Sequence, residues 1–136
     1  MKQAYMPQAK SDDWATPDRV YEEALLIGWD LKSKEFFDPC PLHADFDGLK
    51  LKWKEFNFIN PPYKTLTLWV EKAWQEWAYS GHSSVLLLPV KTDQKWFQMY
   101  CCLFKIHFFQ GRLKFKGAKH HATQPHMLVF MDARSQ

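Results

Sequence analysis

Apolar residues along the chain are concentrated in short segments that predict the strands of a sheet. The best defined is 83–90, where the continuous run from Val85 to Leu88 is typical of a central strand buried on both faces. Shorter apolar segments that predict further strands lie at 35–38, 56–59, 104–109 and 127–131.

Other segments carry apolar residues at helical spacing. The first follows Thr16 and Pro17, which suit an N-cap and a first helical turn, and it ends near Gly28. Its apolar stripe consists of Val20, Leu25 and Leu26. Two further helices are predicted at 66–79 and 92–102.

Strands that alternate with helices predict an α/β domain with a mixed sheet. The segment after Gln110 reads as a hairpin-like pair, which predicts an antiparallel edge on a shortened, doubly wound sheet. The length of 136 residues corresponds to one domain, 1–136, in which the polar stretch 1–13 is expected to be a flexible arm.

Charge changes this picture more than composition does. The formal net charge is +3, and from Lys91 onward Lys and Arg clearly outnumber Asp and Glu. A His-rich basic loop at 116–126 precedes the last predicted strand. A basic face of this kind permits nucleic-acid binding without requiring it. Aromatic residues reach 17%; most are expected in the core, and some are available to stack on bases.

The three Cys residues point to an intracellular setting. Cys40, Cys101 and Cys102 have no disulfide-framework spacing, which predicts reduced thiols and a cytoplasmic protein. Cys40 and His43 lack a second ligand pair at a zinc-like spacing, so no metal is expected. No signal-peptide pattern and no apolar run of membrane length occurs, so no membrane partner is expected.

The residues that carry the chemistry are Asn60-Pro61-Pro62-Tyr63, here called the Asn-Pro-Pro-Tyr motif. The motif directly follows the strand predicted at 56–59. Each Pro fixes its own backbone and restricts the residue before it, so the motif forms a stiff loop. The motif lies at the carboxyl end of a strand, and open α/β sheets bind their ligands at this edge.

This motif suits transfer to an amino group whose lone pair is delocalised into an aromatic ring. If two oxygen atoms accept hydrogen bonds from the two N–H groups of this amine, the lone pair becomes localised on nitrogen and can attack a methyl group. The side-chain carbonyl of Asn60 and the backbone carbonyl of Pro61 can supply them. Tyr63 is expected to stack on the ring through its face and not through its hydroxyl. A plain turn, or a Pro-rich ligand segment, remains an alternative for the tetrapeptide alone.

The order of several motifs resembles the phage-type DNA N-6-adenine methyltransferases, the Dam-like enzymes of phages and prophages. The resemblance covers the chain from Trp14 to Met131. The matching stretches are Trp14-Ala15-Thr16-Pro17, Phe37-Asp38-Pro39, Asp47-Gly48-Leu49 with Trp53, the Asn-Pro-Pro-Tyr motif, Trp69-Val70-Glu71-Lys72-Ala73, Leu88-Pro89-Val90-Lys91-Thr92-Asp93 with Trp96-Phe97, and Gly111-Arg112-Leu113-Lys114-Phe115.

The resemblance implies a shortened Rossmann-like methyltransferase that depends on S-adenosylmethionine and methylates adenine N6 in double-stranded DNA. It implies a phage or prophage protein in the cytoplasm of a bacterial host. The expected catalytic residues are Asn60, Pro61, Pro62 and Tyr63, and the expected cofactor contacts are Trp14, Thr16, Pro17, Asp38 and Pro39. Asp47 is a further cofactor candidate, or else only the first residue of an Asp-Gly turn.

A target adenine must leave the duplex to reach the motif. Extrusion of the base requires the protein to bind the neighbouring phosphates. The expected DNA contacts are Lys91, Arg112, Lys116, Lys119, His120 and His121. The segment after Asp38 departs from related enzymes because it has no Gly-x-Gly loop for the cofactor. The alternatives are therefore an amino-methyltransferase acting on RNA or on protein glutamine, and a catalytically inactive nucleic-acid-binding module.

Overall fold

The computed structural model of the protein describes residues 15–134. Its centre is a five-stranded sheet in the order β1-β2-β3-β5-β4. The strands are β1 (Phe36–Phe37), β2 (Phe56–Ile59), β3 (Ser83–Pro89), β4 (Lys105–Phe108) and β5 (His126–Met131). The first three are parallel, and β5 lies antiparallel between β3 and β4. The α/β class and the mixed sheet are thereby confirmed.

The predicted central strand is confirmed as β3, in which every residue is buried. Leu86 and Leu88 pack in an apolar core with α2 (Leu66–Ser80), whereas Val85 and Leu87 pack in a second core with α1 (Asp18–Leu26). Full burial of one such side chain contributes roughly 2 kcal/mol. The continuous apolar run is therefore explained by helices on both faces of the sheet.

A buried amide ties β2 to β3. Asn57 is 0% exposed, and its Nδ2 donates to the carbonyl oxygens of Lys54 and Ser83, at 2.9 and 3.0 Å. Its Oδ1 accepts from the Lys54 backbone N–H at 3.1 Å. Because buried polar groups need such partners, Asn57 has a structural role in the sheet.

The predicted start of α1 is wrong in its cap and in its buried face. Pro17 is the N-cap, and no side chain donates or accepts a capping bond, so Thr16 is not the cap. Val20 and Ala24 are the buried residues, whereas Leu25 and Leu26 are 59% and 85% exposed. Each residue advances about 100° around a helix, so Leu25 and Leu26 lie away from the face that carries Val20 and Ala24.

The helix predicted over 92–102 is confirmed over 95–101, but its predicted start is wrong. Thr92 and Asp93 lie in an exposed turn, which is closed by a hydrogen bond from Gln94 N to Lys91 O. Regular helical structure is limited to a short π-helical turn, Phe97–Cys101, beside two preceding helical residues. Thr92 and Asp93 are weak helix formers, and because both are exposed no core contact offsets this.

The antiparallel edge is present, but β4 and β5 form it, and the pair predicted after Gln110 does not. Gly111 and Gly117 have positive φ values of 71° and 91°, which turn the chain before and after this segment. Between them Leu113 and Phe115 are buried in the core beside α1. Within residues 15–134, none of the helices is long and apolar enough to cross a membrane.

Candidate active site at the carboxyl edge of the sheet

The parallel strands bring three predicted segments to one edge of the sheet. Asp38 and Pro39 follow β1, the Asn-Pro-Pro-Tyr motif follows β2, and Lys91 lies just beyond β3. The antiparallel β5 begins at this same edge, because His126 is in register with Pro89. Residues that are far apart in sequence therefore share the ligand-binding edge expected for such a sheet.

Asn60 is held through its side-chain amide. Its Nδ2 donates to Thr16 Oγ1 at 3.1 Å, across the junction between β2 and the segment before α1. Within residues 15–134 the Asn60 Oδ1 has no hydrogen-bond donor. Pro61 and Pro62 beside it are buried, and Pro62 is extended with φ −68° and ψ 145°. The loop is thus rigid, with one amide oxygen still able to accept.

Tyr21 lies beside this contact and was not singled out in the sequence. Its side chain is close to the Thr16 hydroxyl, and its ring meets the Phe58 ring edge-on with centroids 5.7 Å apart. Burial raises the pKa of Tyr21, and the nearby Asp38 carboxylate raises it further. Tyr21 is therefore the contact that links α1 to the ends of β1 and β2.

Asp38 is an acidic group in a partly desolvated position. The Cys40 backbone N–H donates to its Oδ1 at 2.8 Å. The residue keeps contact with solvent, yet the protein atoms around the carboxyl group desolvate it and raise its pKa to about 6. Within the described part of the chain, its second oxygen has no hydrogen-bond donor.

Asp47 lies in a turn that packs against the end of β1. Its carboxylate accepts from Leu49 N at 3.0 Å and caps the 3-10 helix Gly48–Lys50. The buried Trp53 Nε1 donates to the Gly48 carbonyl at 2.8 Å. These contacts correspond to the Asp-Gly turn that was the second interpretation of Asp47.

A cavity of about 510 Å³ opens beside the Asn-Pro-Pro-Tyr motif. Its lining residues come from the motif, from the basic loop and from Phe115 just before that loop: Asn60, Pro61, Tyr63, Phe115, Lys119, His120, His121, Ala122, Thr123 and Gln124. Tyr63 is 41% exposed, so its ring is accessible from the cavity. The volume falls within the range of ordinary small-molecule sites.

His126 lies behind this cavity and was not predicted as a site residue. Its Nε2 is 2.7 Å from the Tyr63 hydroxyl, and the two rings lie end to end with centroids 6.2 Å apart. Burial is the main cause that lowers its pKa to about 4, and the positive charge of Arg112 lowers it further. A histidine at the start of an otherwise apolar strand was the available sequence signal.

The predicted DNA contacts occupy different positions around the cavity. Lys119, His120 and His121 are exposed on its lining, and Lys91 and Arg112 are exposed nearby on the same edge. Lys116 differs because its Nζ pairs with Asp18 Oδ1 at 2.7 Å. Trp14, predicted as a cofactor contact, lies outside the described residues. Within 15–134 no group of His, Cys, Asp or Glu is arranged to hold a metal ion.

Comparisons with known proteins give one result. No curated protein and no solved structure matches the chain. A family model described as DNA N-6-adenine-methyltransferase (Dam) matches residues 3–135, a range that includes Thr16, Asp38, the Asn-Pro-Pro-Tyr motif and the basic loop. Because the match covers nearly the whole chain, it confirms the resemblance found in the sequence, and the chain belongs to the DNA N-6-adenine-methyltransferase (Dam) family.

Proposed function

We propose that this protein is an S-adenosylmethionine-dependent enzyme with a shortened Rossmann-like methyltransferase fold that methylates adenine N6 in DNA. The observation that carries the proposal is the Asn60 side chain, fixed by Thr16 at the mouth of the cavity. Family membership supports a methyltransferase that acts on DNA. The basic cavity lining favours nucleic acid over a protein substrate.

The amide orientation of Asn60 supports its chemical role. The bond to Thr16 uses the NH₂ group, which leaves the carbonyl oxygen as the acceptor for a substrate N–H. The carbonyl of the adjacent Pro61 is the second acceptor. Two acceptors on one amino group draw its lone pair out of the ring and stabilise the positive charge that develops on nitrogen during transfer.

The residues at the end of β1 fit S-adenosylmethionine. When bound, this cofactor supplies a methyl group on a positively charged sulfonium, together with a positively charged amino group. Asp38 presents a carboxyl oxygen that has no donor within residues 15–134, which suits a cation or a ribose hydroxyl. Thr16, Pro17, Asp38 and Pro39 are proposed to hold the cofactor, whereas Asp47 serves its turn.

The affinity for S-adenosylmethionine is expected to depend on the ionisation of Asp38. Its pKa is about 6 in the free protein, and a bound cation lowers that value, so binding favours the deprotonated carboxylate. The affinity should therefore fall as the pH drops through 6, by up to about tenfold per pH unit. Calorimetric titration between pH 5 and pH 8 measures it.

Two variants make that measurement specific. Asp38→Asn should weaken binding at pH 7.5 and remove the pH dependence, since the amide does not ionise. Asp93→Asn is the matched control, because Asp93 is exposed in the turn that follows β3. An affinity that stays constant for the wild-type protein across pH 6 would contradict a role for Asp38.

DNA binding is expected to weaken with salt, and Lys119 should contribute more to this than Lys116. Each neutralised phosphate adds about −0.9 to the slope of log affinity against log salt concentration. Lys119 lines the cavity and is exposed, whereas the ammonium of Lys116 already pairs with Asp18. Lys119→Ala should make the slope less negative by about 0.9, the contribution of one phosphate contact, and Lys116→Ala should change the slope less.

A salt titration of duplex affinity compares these two variants with the wild-type protein. Equal slopes for wild type and Lys119→Ala would show that the Lys119 side chain does not contact the phosphates. The loss should be similar on unrelated DNA sequences, because a phosphate contact carries no base information.

The acceptor is tested by incubation with labelled S-adenosylmethionine and unmethylated DNA, followed by nucleoside analysis. N6-methyladenine is the expected product. Recovery of only N4-methylcytosine, or of label in RNA or protein, would contradict the assignment. A protein that binds DNA but neither the cofactor nor S-adenosylhomocysteine would instead be the inactive binding module.

A further inference from the structure

The residue behind the cavity, His126, is almost completely enclosed. It is 1% exposed and lies at the first position of β5, opposite Pro89. The Phe115 ring meets it edge-on with centroids 5.2 Å apart, and the Tyr63 ring lies end to end with it at an interplanar angle of 27°. Both of these neighbours also line the cavity.

The hydrogen bonds of His126 define which nitrogen carries the proton. Its Nδ1 is 3.2 Å from the Gln124 carbonyl oxygen, which can only accept, so Nδ1 carries a hydrogen. In the neutral ring Nε2 then has a lone pair, and the Tyr63 hydroxyl 2.7 Å away donates to it. Since burial lowers the pKa of His126 to about 4, the ring stays neutral at physiological pH.

This arrangement restrains Tyr63 at both ends. Pro62 fixes the backbone before it, and the 3-10 helix Tyr63–Thr65 fixes the backbone after it. The hydroxyl at the far end of the ring is bound by a side chain that packing holds in place. The expectation that the hydroxyl of Tyr63 has no part in its role is therefore revised by this contact.

We propose that His126 is a positioning residue that accepts the Tyr63 hydroxyl and holds the Tyr63 ring as the stacking surface for an extruded base. This inference rests on the proposed function, since it assigns the ring to base capture. The restraint lowers the entropy that the ring loses when a base stacks on it. His126 itself does not contact the substrate.

Two substitutions at this position separate the two hydrogen bonds. In His126→Gln, the longer side chain places an amide oxygen near the site of Nε2, so it retains an acceptor for Tyr63. In His126→Asn, the shorter side chain places its amide near Nδ1, so it retains a donor for Gln124 and loses the Tyr63 contact. Both variants lose the ring packing against Phe115, and their difference isolates the bond to Tyr63.

The experiment measures the affinity for a duplex with a mispaired adenine relative to a duplex with an abasic site at that position. This ratio reports base capture and requires no turnover. His126→Asn should lower the ratio by about fivefold, the factor for one net hydrogen bond, whereas His126→Gln should keep most of it. Tyr63→Phe should lower the ratio as much as His126→Asn does.

The double variant Tyr63→Phe with His126→Asn should lower the affinity ratio no more than either single variant does, because the two substitutions remove the same contact. Thermal unfolding of each variant records the cost of altered packing separately. If the two His126 variants lower the affinity ratio equally and Tyr63→Phe leaves it at the wild-type value, the role of His126 is structural only and the inference is wrong. A wild-type ratio near one would contradict the proposed function, and the inference would fail with it.

Discussion

Asn60→Ala is expected to lower kcat for methyl transfer by about 10²–10³-fold, the range for loss of one transition-state acceptor or donor. The side-chain oxygen matters most when positive charge develops on the substrate nitrogen, so kcat should fall more than the affinity for DNA. Asn60 is only partly buried, and its described hydrogen bond joins it to Thr16. The midpoint of thermal unfolding should therefore stay close to that of the wild-type protein.

Asn57→Ala is the matched control, because it changes the same residue type within the preceding strand. Asn57 is fully buried, so its loss removes the partner of the buried Ser83 carbonyl and of the partly buried backbone groups of Lys54. The expected cost is about 2–3 kcal/mol of folding free energy. Wild-type kcat in Asn60→Ala, measured at saturating DNA, would contradict the proposed role of the motif.

Gly48→Ala is expected to destabilise the protein by about 3 kcal/mol, near the upper end for an overpacked core. A Cβ at Gly48 would overlap the carbonyl oxygen of Pro39 and would lie 2.8 Å from its carbonyl carbon. It would also lie 2.9 Å from Cη2 of the buried Trp69. Two of these three atoms belong to the backbone after β1. The overlap can therefore be relieved only if the turn at Gly48 moves away from the end of β1.

Gly81→Ala provides the comparison for this substitution. Gly81 ends α2 with φ +68°, and a Cβ there meets no atom within 4 Å. Its cost comes from backbone conformation alone and should be about 1 kcal/mol. Thermal or denaturant unfolding ranks the two variants. A smaller loss of stability for Gly48→Ala than for Gly81→Ala would show that the Gly48–Pro39 contact relaxes easily.

The sheet was predictable because its strands carry their own signal. The run from Val85 to Leu88 is apolar at every position, and burial on both faces is the physical cause of that pattern. The Asn-Pro-Pro-Tyr motif was predictable for a similar reason, since two adjacent prolines after a strand fix a loop locally. Both features depend on residues that are neighbours in sequence.

The other features depend on contacts between distant segments. The hydroxyl of Thr16 bonds to Asn60 instead of capping α1, and nothing near Thr16 in the sequence specifies that partner. The contact from Tyr63 to His126 likewise joins two distant positions. Because Lys116 forms an ion pair with Asp18, we expect it to contribute less to DNA binding than Lys119 does. Counting charges along the chain cannot reveal such a pair.

The position of β5 has a consequence for synthesis on the ribosome. This strand is the last of the sheet in chain order, yet it lies between β3 and β4. Until a nascent chain has emerged past Met131, β4 has no neighbouring strand and His126 cannot meet Tyr63. Domains generally fold as units during translation. Partly made chains are therefore expected to have no complete cavity, and the proposed activity should arise in one late step.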